Sequence, residues 1–198
     1  MSSTGVQQPP TAPRTHLSER QARTVDGLVE AAAEEVVEVG YSALTVRTVA
    51  KRAGVAPATA YTYFASKEHL ISEVYLRRFV AQPEPAPDPS RSPAQRATDA
   101  LLAFALVVSE ETELAAAVTV AMLADDPEVR DLRIRIGVEV HRRLLDALGP
   151  DADPAAIRTL ELATSGALLQ VGTGHLAYDD VPNLLAETAA LVLGGTTR

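Results

Sequence analysis

Apolar residues recur along most of the chain at spacings of three and four, which is the period of an amphipathic helix. The first such segment begins at a capping box, Ser18–Gln21, and ends at Gly40, a residue that can form a left-handed helix cap. Its apolar positions are Val25, Leu28, Val29, Ala32, Val36 and Val39. This pattern predicts one long helix with a single buried face.

Three shorter helices are predicted to follow. Thr45 can cap a short helix that Gly54 ends, and the next helix runs from Pro57 to Phe64. A proline in the first helical turn loses nothing, because its missing N–H would be unpaired there. Ser66 can cap a fourth helix from Lys67 to about Val80, so four helices precede residue 83.

A proline-rich tract over residues 83–93 interrupts the helical pattern and predicts a linker or a stiff extended loop. After it, acidic or hydroxyl caps followed by proline mark helix starts, and glycines mark helix ends. The starts are Ser92-Pro93, Asp126-Pro127, Asp153-Pro154 and Val181-Pro182, and the ends are Gly149-Pro150 and Gly194-Gly195. With no alternating strand pattern of useful length, the prediction is an all-α fold of about nine helices, five of them after the tract.

These boundaries divide the chain into four parts. Residues 1–17 are rich in Pro, Ser, Thr and Gln and are expected to form a disordered arm. Residues 18–82 form a first helical domain, residues 83–93 the linker, and residues 94–198 a second helical domain with long apolar faces that must be buried.

The net charge of −8 argues at first sight against a nucleic-acid partner, but the charge is unevenly distributed. Residues 14–82 hold nine Lys or Arg and eight Asp or Glu, whereas residues 83–198 hold nine and eighteen. The stretch from Val39 to Lys67 has no acidic residue, and its cations are Arg47, Lys51, Arg52 and Lys67. A polyanion is therefore tolerated at this stretch and repelled elsewhere. The alternative is chance clustering on a solvated face.

Several classes of protein are disfavoured. Without cysteine there is no disulfide framework, thiolate chemistry or cysteine-ligated zinc site. The chain has no nucleophile elbow, no His-Glu-x-x-His, no P-loop and no strand-embedded dinucleotide fingerprint, so we expect no enzyme, no cofactor and no metal. It begins without a signal-peptide pattern, and its uncharged apolar runs are too short to span a bilayer, so we expect a cytoplasmic protein with no membrane partner.

Residues 45–64 have the pattern of a helix-turn-helix, whose second helix can lie in the major groove of DNA. An inward set forms a minimal core: Val49, Ala50, Val55, Ala60, Phe64 and Leu70. The outward set carries the hydroxyl and cationic groups that reach phosphates and base edges: Arg47, Pro57, Ala58, Thr59, Tyr61, Thr62, Tyr63 and Lys67. The alternative is a three-helix core whose outer face is polar by coincidence.

The same region resembles the TetR family of bacterial transcriptional regulators over about residues 20–80. The matching positions, in order, are Ala31-Ala32, Gly40, Thr45-Val46-Arg47, Ala53-Gly54-Val55, Thr59, Tyr61, Tyr63-Phe64, Ser66-Lys67-Glu68 and Leu70. The resemblance implies a three-helix DNA-binding domain, and a homodimer that binds a palindromic operator in double-stranded DNA. It also implies repression as the usual activity.

Residue roles follow from the resemblance. It implies that Arg47 contacts a base or a phosphate, and that Pro57, Ala58 and Thr62 read bases. It assigns backbone contacts to Thr59, Tyr61, Tyr63 and Lys67, and makes Thr45 both an N-cap and a phosphate neighbour. Many family members have serine where this chain has Ala56, and alanine weakens the helix cap by about 1 kcal/mol. Because few bidentate base readers remain, we expect specificity to depend on Arg47 and on DNA shape.

Beyond residue 83 only the architecture resembles the family, which implies a domain that binds a small effector and dimerises through its last two long helices. These helices are predicted at Pro154–Tyr178 and Pro182–Leu193. Small residues that permit a close approach between subunits are Ala163, Gly166 and Ala167, with packing inside one chain as the alternative. Candidate effector contacts, each of which could instead be a core residue, are Phe104, Met122, Ile136, His141, Leu168 and Gln170.

The effector is expected to be small and hydrophobic, since only 4% of residues are aromatic and a pocket for flat multi-ring molecules is disfavoured. An alternative function is a helix-turn-helix protein without an effector, controlled by a protein partner. A ligand-sized cavity within residues 94–178 would favour the sensor, and a filled core would favour the partner-controlled protein.

Overall fold

Helices account for most of the residues that the computed structural model describes, which are 18–84 and 88–194. Within these ranges there are nine α-helices and no strand, which confirms the predicted fold class. The helices are α1 (Glu19–Ala43), α2 (Val46–Arg52), α3 (Pro57–Tyr63), α4 (Lys67–Ala81), α5 (Pro93–Ala105), α6 (Thr112–Met122), α7 (Pro127–Leu148), α8 (Pro154–Gly172) and α9 (Val181–Gly194). The predicted arm, residues 1–17, lies outside the described residues.

Side-chain hydrogen bonds begin six of these helices at the residues that the sequence indicates. Ser18, Thr45 and Ser92 each take part in a complete capping box, in which the cap and the third helical residue exchange hydrogen bonds. Ser66, Asp126 and Asp153 accept hydrogen bonds from backbone N–H groups in the first turns of α4, α7 and α8. The helix starts are therefore determined by local chemistry.

Helix α1 is interrupted at Gly40, whose φ of 72° lies in the region that favours glycine. The chain resumes a helical turn, and the N–H of Leu44 donates to the carbonyl of Gly40 over 3.2 Å. The predicted apolar face of α1 is buried from Val25 to Val36. Val39 is an exception: it directly precedes the break and is exposed.

Helix α8 ends six residues earlier than predicted, at Gly172 rather than Tyr178. Gly174 has a φ of 75°, and the next residue, His175, donates its N–H to the carbonyl of Gln170 over 2.9 Å. This arrangement closes the helix because a left-handed residue satisfies its last carbonyls. Gly172 itself packs against α6, since a Cβ there would clash with the side chain of Thr119.

Helix α4 joins the two halves of the molecule. It packs on α1, α6 and α7, and α1 also packs directly on α6, while α5 packs mainly on α9 and α7. One continuous apolar core runs through both halves. None of the described helices is both long and apolar enough to cross a membrane.

Candidate DNA interface and effector cavity

Helices α2 and α3 present the predicted DNA-contacting side chains to solvent. The inward set is buried as expected, apart from Val55, which is half-buried. Exposed residues of the predicted interface are Thr45, Arg47, Pro57, Ala58, Thr59, Tyr61 and Thr62, and the half-buried ones are Tyr63 and Lys67. A recognition helix with a small buried side, Ala60, and an otherwise exposed surface is free to enter a groove.

Lys67 has a structural contact as well as a predicted phosphate contact. Its Nζ donates to the carbonyl of Tyr41 over 2.9 Å and lies 4.2 Å from the centroid of that ring. The Tyr41 hydroxyl in turn donates to Glu68 over 2.8 Å, and burial together with this carboxylate raises the pKa of Tyr41. Because an ammonium has three N–H groups, Lys67 keeps donors for a phosphate while it fastens α4 to the end of α1.

Arg52 is withdrawn from the cationic surface. Its guanidinium pairs with Glu35 over 2.5 Å, and also with Glu34 and Glu38, so it ties α2 to α1. The hydrogen bonds that Arg52 donates to Glu35 and Glu38 raise the pKa of its guanidinium. Arg47 and Lys51 are exposed and have no carboxylate partner within the described residues, so they remain the available cations of α2.

The start of α3 lacks a side-chain cap, as the sequence indicates. Ala56 precedes Pro57 and offers no oxygen to the first N–H groups of the helix. The hydroxyl of Thr62 donates to the carbonyl of Ala58 over 3.1 Å. Thr62 therefore has its oxygen lone pairs and methyl group, but not its hydroxyl proton, left for a base edge.

A cavity of about 660 Å³ lies among α4 to α8, which is within the usual size range of small-molecule sites. Five of the six candidate effector residues line it: Phe104, Met122, Ile136, His141 and Leu168. The prediction that Gln170 lines the cavity is wrong, because this residue lies on the exposed side of α8. The lining is mostly apolar, with a few polar groups.

The cavity also contains residues that sequence reasoning missed: Tyr75 of α4, Arg133 and Gly137 of α7, and Glu161 and Ser165 of α8. Arg133, Gly137 and His141 follow at intervals of four, so helical spacing could have placed all three on one stripe. Tyr75 could not be found this way, since its position depends on how α4 packs against the sensing helices. His141 Nδ1 lies 2.8 Å from a carboxylate oxygen of Glu161.

Several contacts fasten α4 to the helices around the cavity, and three hydrogen bonds among them are spread along its length. At its start, Ser66 donates to Asp126, the cap of α7, over 2.6 Å, and this bond lowers the pKa of Asp126. In its middle, the Tyr75 hydroxyl donates to the carbonyl of Phe104 over 3.0 Å. Near its end, buried Arg143 of α7 donates to the carbonyl of Phe79 over 3.1 Å and covers its ring.

The predicted subunit contacts on α8 need one correction. Ala163 and Gly166 are half-buried, but Ala167 is only 3% exposed within its own chain and is unavailable to a partner. Sequence reasoning missed larger apolar side chains on the outer faces of the last two helices. They are Leu162 on α8, and Leu184 and Leu191, seven residues apart, on α9, whereas exposed Leu169 of α8 is part of the cavity lining.

A cationic helix-turn-helix joined to an all-helical domain with a ligand-sized cavity defines a class, the one-component helix-turn-helix regulators. The family model of bacterial regulatory proteins of the tetR family matches residues 28–74. An uncharacterised HTH-type transcriptional regulator of Mycobacterium tuberculosis is 45% identical over 96% of this chain and 89% of its own length. The HTH-type transcriptional repressor KstR of Rhodococcus jostii is 29% identical over 91% of this chain and 85% of its own.

A solved TetR transcriptional regulator from Rhodococcus sp. RHA1 has the same fold, with a TM-score of 0.75 and 25% sequence identity. The match covers 91% of this chain and all of the solved one. The chain belongs to the TetR family of bacterial transcriptional regulators.

Proposed function

We propose that this regulator is a homodimeric repressor that binds a palindromic operator and is released by a small hydrophobic effector in the cavity. The observation that carries the proposal is the contact between the cavity and α4, because Tyr75 of α4 lines the cavity and donates a hydrogen bond to Phe104 of α5, which lines it too. A ligand-sized cavity in this position favours an effector-controlled regulator over one controlled by a protein partner.

The aromatic contacts of α4 supply a route from the cavity to DNA. Phe104 makes edge-to-face contacts with Tyr75 and Phe79, with centroids 5.9 Å and 5.1 Å apart. A ligand that displaces Phe104 therefore changes the packing of two residues on one face of α4. Because Lys67 at the start of α4 is fastened to Tyr41 of the DNA-binding half, a shift of α4 moves the helix-turn-helix with it.

The bonds to α7 make α4 respond as one rigid element. Ser66 holds its first turn to Asp126, and Arg143 holds its last turn to α7 through Phe79. An effector can change DNA affinity only by the difference in its own affinity for the two positions of α4. Such coupling is typically worth about 1–3 kcal/mol.

Helices α8 and α9 pack on each other, and their outer faces expose leucines. These exposed leucines support dimerisation. Large exposed apolar patches on a regulator are typical of subunit contacts. Two recognition helices related by a two-fold axis read half-sites about 34–36 Å apart, which makes the operator a palindrome.

The first test is DNA binding by the full chain, measured by fluorescence anisotropy on the DNA that flanks its own gene, across a salt series. Arg47→Ala and Tyr63→Phe remove a guanidinium and a single hydroxyl from the proposed interface. Arg158→Ala, on the exposed surface of α8, removes the same charge as the first variant and serves as its control. We expect saturable, salt-sensitive binding that both interface variants weaken and the control leaves unchanged.

If the flanking DNA binds no better than random duplex, selection from a random DNA pool supplies the operator. A pool that yields no preferred sequence contradicts the proposal. Equal loss in Arg47→Ala and Arg158→Ala would mean that only overall charge matters, which contradicts the assigned interface.

A further inference from the structure

Helix α7 carries five arginines, and four of them have carboxylate partners. The pairs are Arg130 with Asp125 at 3.7 Å, Arg135 with Glu73 at 3.6 Å, Arg142 with Glu139 at 2.6 Å and Arg143 with Glu139 at 2.8 Å. Arg133, the one that lines the cavity, forms no such pair with any described residue. The exception is informative because a cation beside an apolar cavity is costly to leave unpaired.

The Arg133 side chain is held in place by only part of its guanidinium group. Its Nη1 donates to the carbonyls of Met122 and Ala124, over 2.8 and 3.1 Å, at the end of α6. Its Nε and Nη2 donate to no group in the described part of the chain. A guanidinium offers five N–H groups in a planar fork, so a fixed Arg133 retains donors for a bidentate acid.

Gly137 leaves room beside Arg133. It lies one helical turn further along the cavity-lining stripe of α7, at an exposed position at the mouth of the cavity, and a Cβ built there would meet nothing within 4 Å. Glycine is unfavourable inside a helix relative to alanine, and here it keeps the cavity wall open. The opening is continuous with apolar lining residues, among them Met122, Ile136 and Leu168.

The charges of the cavity give a ligand one orientation. The carboxylate of Glu161 lies at the other end of the stripe, beside His141, and disfavours an anion there. Arg133 and His141 are eight residues apart, which is about 12 Å along a helix axis. An anionic group is therefore attracted to the Arg133 end, and an apolar body extends towards the His141 end.

We propose that the cavity binds an apolar carboxylic acid, with its carboxylate on Arg133 and its hydrocarbon body beside Gly137 between α7 and α8. The inference rests on the proposed function, because it names the chemistry of the effector for the same cavity. The competing role for Arg133 is purely structural, as a cap for the carbonyls that end α6. The two roles differ in whether Arg133 distinguishes an acid from its ester.

The test is calorimetric titration of the full chain with decanoate, dodecanoate, hexadecanoate and naphthoate, each compared with its methyl ester. We expect at least one acid to bind about tenfold or more tightly than its ester, as for a charge-assisted hydrogen-bonded pair. Arg133→Gln should abolish this preference, and Arg133→Lys, which keeps the charge but not the fork, should retain part of it. Arg130→Gln makes the same charge change on the exposed side of α7 and should retain all of it.

Gly137→Leu tests the position of the body, because a leucine there projects into the opening. It should weaken acid and ester alike, whereas Arg133→Gln acts on the acid alone. Equal affinity for acids and esters, an unchanged preference in Arg133→Gln, or no binding of any acid would overturn the proposal. A lower melting temperature for Arg133→Gln with its preference intact would assign Arg133 to the cap of α6 only.

Operator binding, followed by anisotropy in parallel, separates this inference from the proposed function. Specific DNA binding that no acid alters contradicts the ligand chemistry but leaves the DNA-binding function standing. Absence of specific DNA binding contradicts the proposed function, whatever the cavity binds.

Discussion

The two halves of the molecule differ in where their candidate functional groups lie. In α1–α4 the core holds apolar side chains of all sizes, from Ala60 to Phe79, and the groups proposed to meet DNA, such as Arg47 and Tyr61, are on the outside. In α5–α9 the groups proposed to meet a ligand, such as Arg133, lie around a cavity between the helices. A site on the surface needs only a short motif on two helices. A cavity between helices depends on how five helices pack together.

Acidic residues also serve the two halves differently. Glu34 and Glu35 lie on α1, away from the exposed face of α3, and hold Arg52 of α2 against α1. On α7, Glu139 pairs with two arginines, Arg142 and Arg143, within α5–α9. The net charge of −8 is therefore a poor guide to DNA binding, because α2 carries cations and α3 carries no acidic residue.

Helix α4 contacts both halves, and substitutions on its buried and exposed sides should differ most in their effect on stability. Phe79→Ala should destabilise the protein by about 3–5 kcal/mol, since the ring is fully buried and contacts Phe104 and Arg143. The neighbouring Val80 is 56% exposed, and Val80→Ala should cost less than about 0.5 kcal/mol. Urea unfolding of both variants measures the difference. Similar values for the two would mean that α4 is not packed between the halves.

The outer faces of α8 and α9 give the next largest effect. Leu162→Asp should weaken dimerisation by about 2 kcal/mol or more, because it places a carboxylate in an apolar contact. The monomer should keep its stability, since Leu162 is already 68% exposed in it. Val37→Asp introduces the same charge at an exposed apolar position on α1 and should leave the dimer intact. Sedimentation equilibrium compares them, and an unchanged Leu162→Asp dimer would move the interface away from this face.

The DNA-binding half could be predicted from the sequence because its signals are local. The caps at Ser18, Thr45 and Ser66 are satisfied within three residues, and the spacing around Gly54 determines the turn. The sequence did not reveal which of its cations pair with carboxylates. Arg52 was counted as an available cation, and only the packing of α2 on α1 brings it to Glu35.

The sensing half could be predicted as helices but not as a site. Five of six candidate pocket residues line the cavity because apolar stripes face inward, yet Gln170 is exposed. Ala167 was predicted to face a partner and is buried in its own chain. Apolar periodicity shows which face of a helix is covered, but whether by another helix, a cavity or a second subunit depends on tertiary packing.

The stability of the protein should depend on acid pH through Glu139 of α7. Hydrogen bonds from Arg142 and Arg143 hold the pKa of Glu139 at about 2, below its usual 4.5. A lowered pKa stabilises the folded state above the unfolded pKa, and this contribution is lost as pH falls from about 5 towards 2. Glu139→Gln should therefore destabilise the protein at pH 7, on the order of 1 kcal/mol after solvent screening, with the difference from wild type shrinking in acid.

Thermal unfolding between pH 7 and pH 3 measures this effect. Glu187→Gln, an exposed residue of α9, is the control and should follow wild type throughout. A Glu139→Gln deficit that stays constant with pH would mean that the loss is one of packing and not of charge.

The smallest expected effect is a gain, and it concerns the DNA-binding half alone. Ala56→Ser supplies the missing oxygen at the start of α3, where it can accept the N–H of Ala58 or Thr59, and should stabilise the protein by about 0.5–1 kcal/mol. Ala58→Ser places the same hydroxyl inside the helix, where it has no cap to make and should give no gain. Urea unfolding compares the two variants. If both gain equally, the hydroxyl acts through solvation and not through capping. A gain in Ala56→Ser alone, with operator affinity unchanged, would show that the weak cap of α3 lowers stability without contributing to recognition.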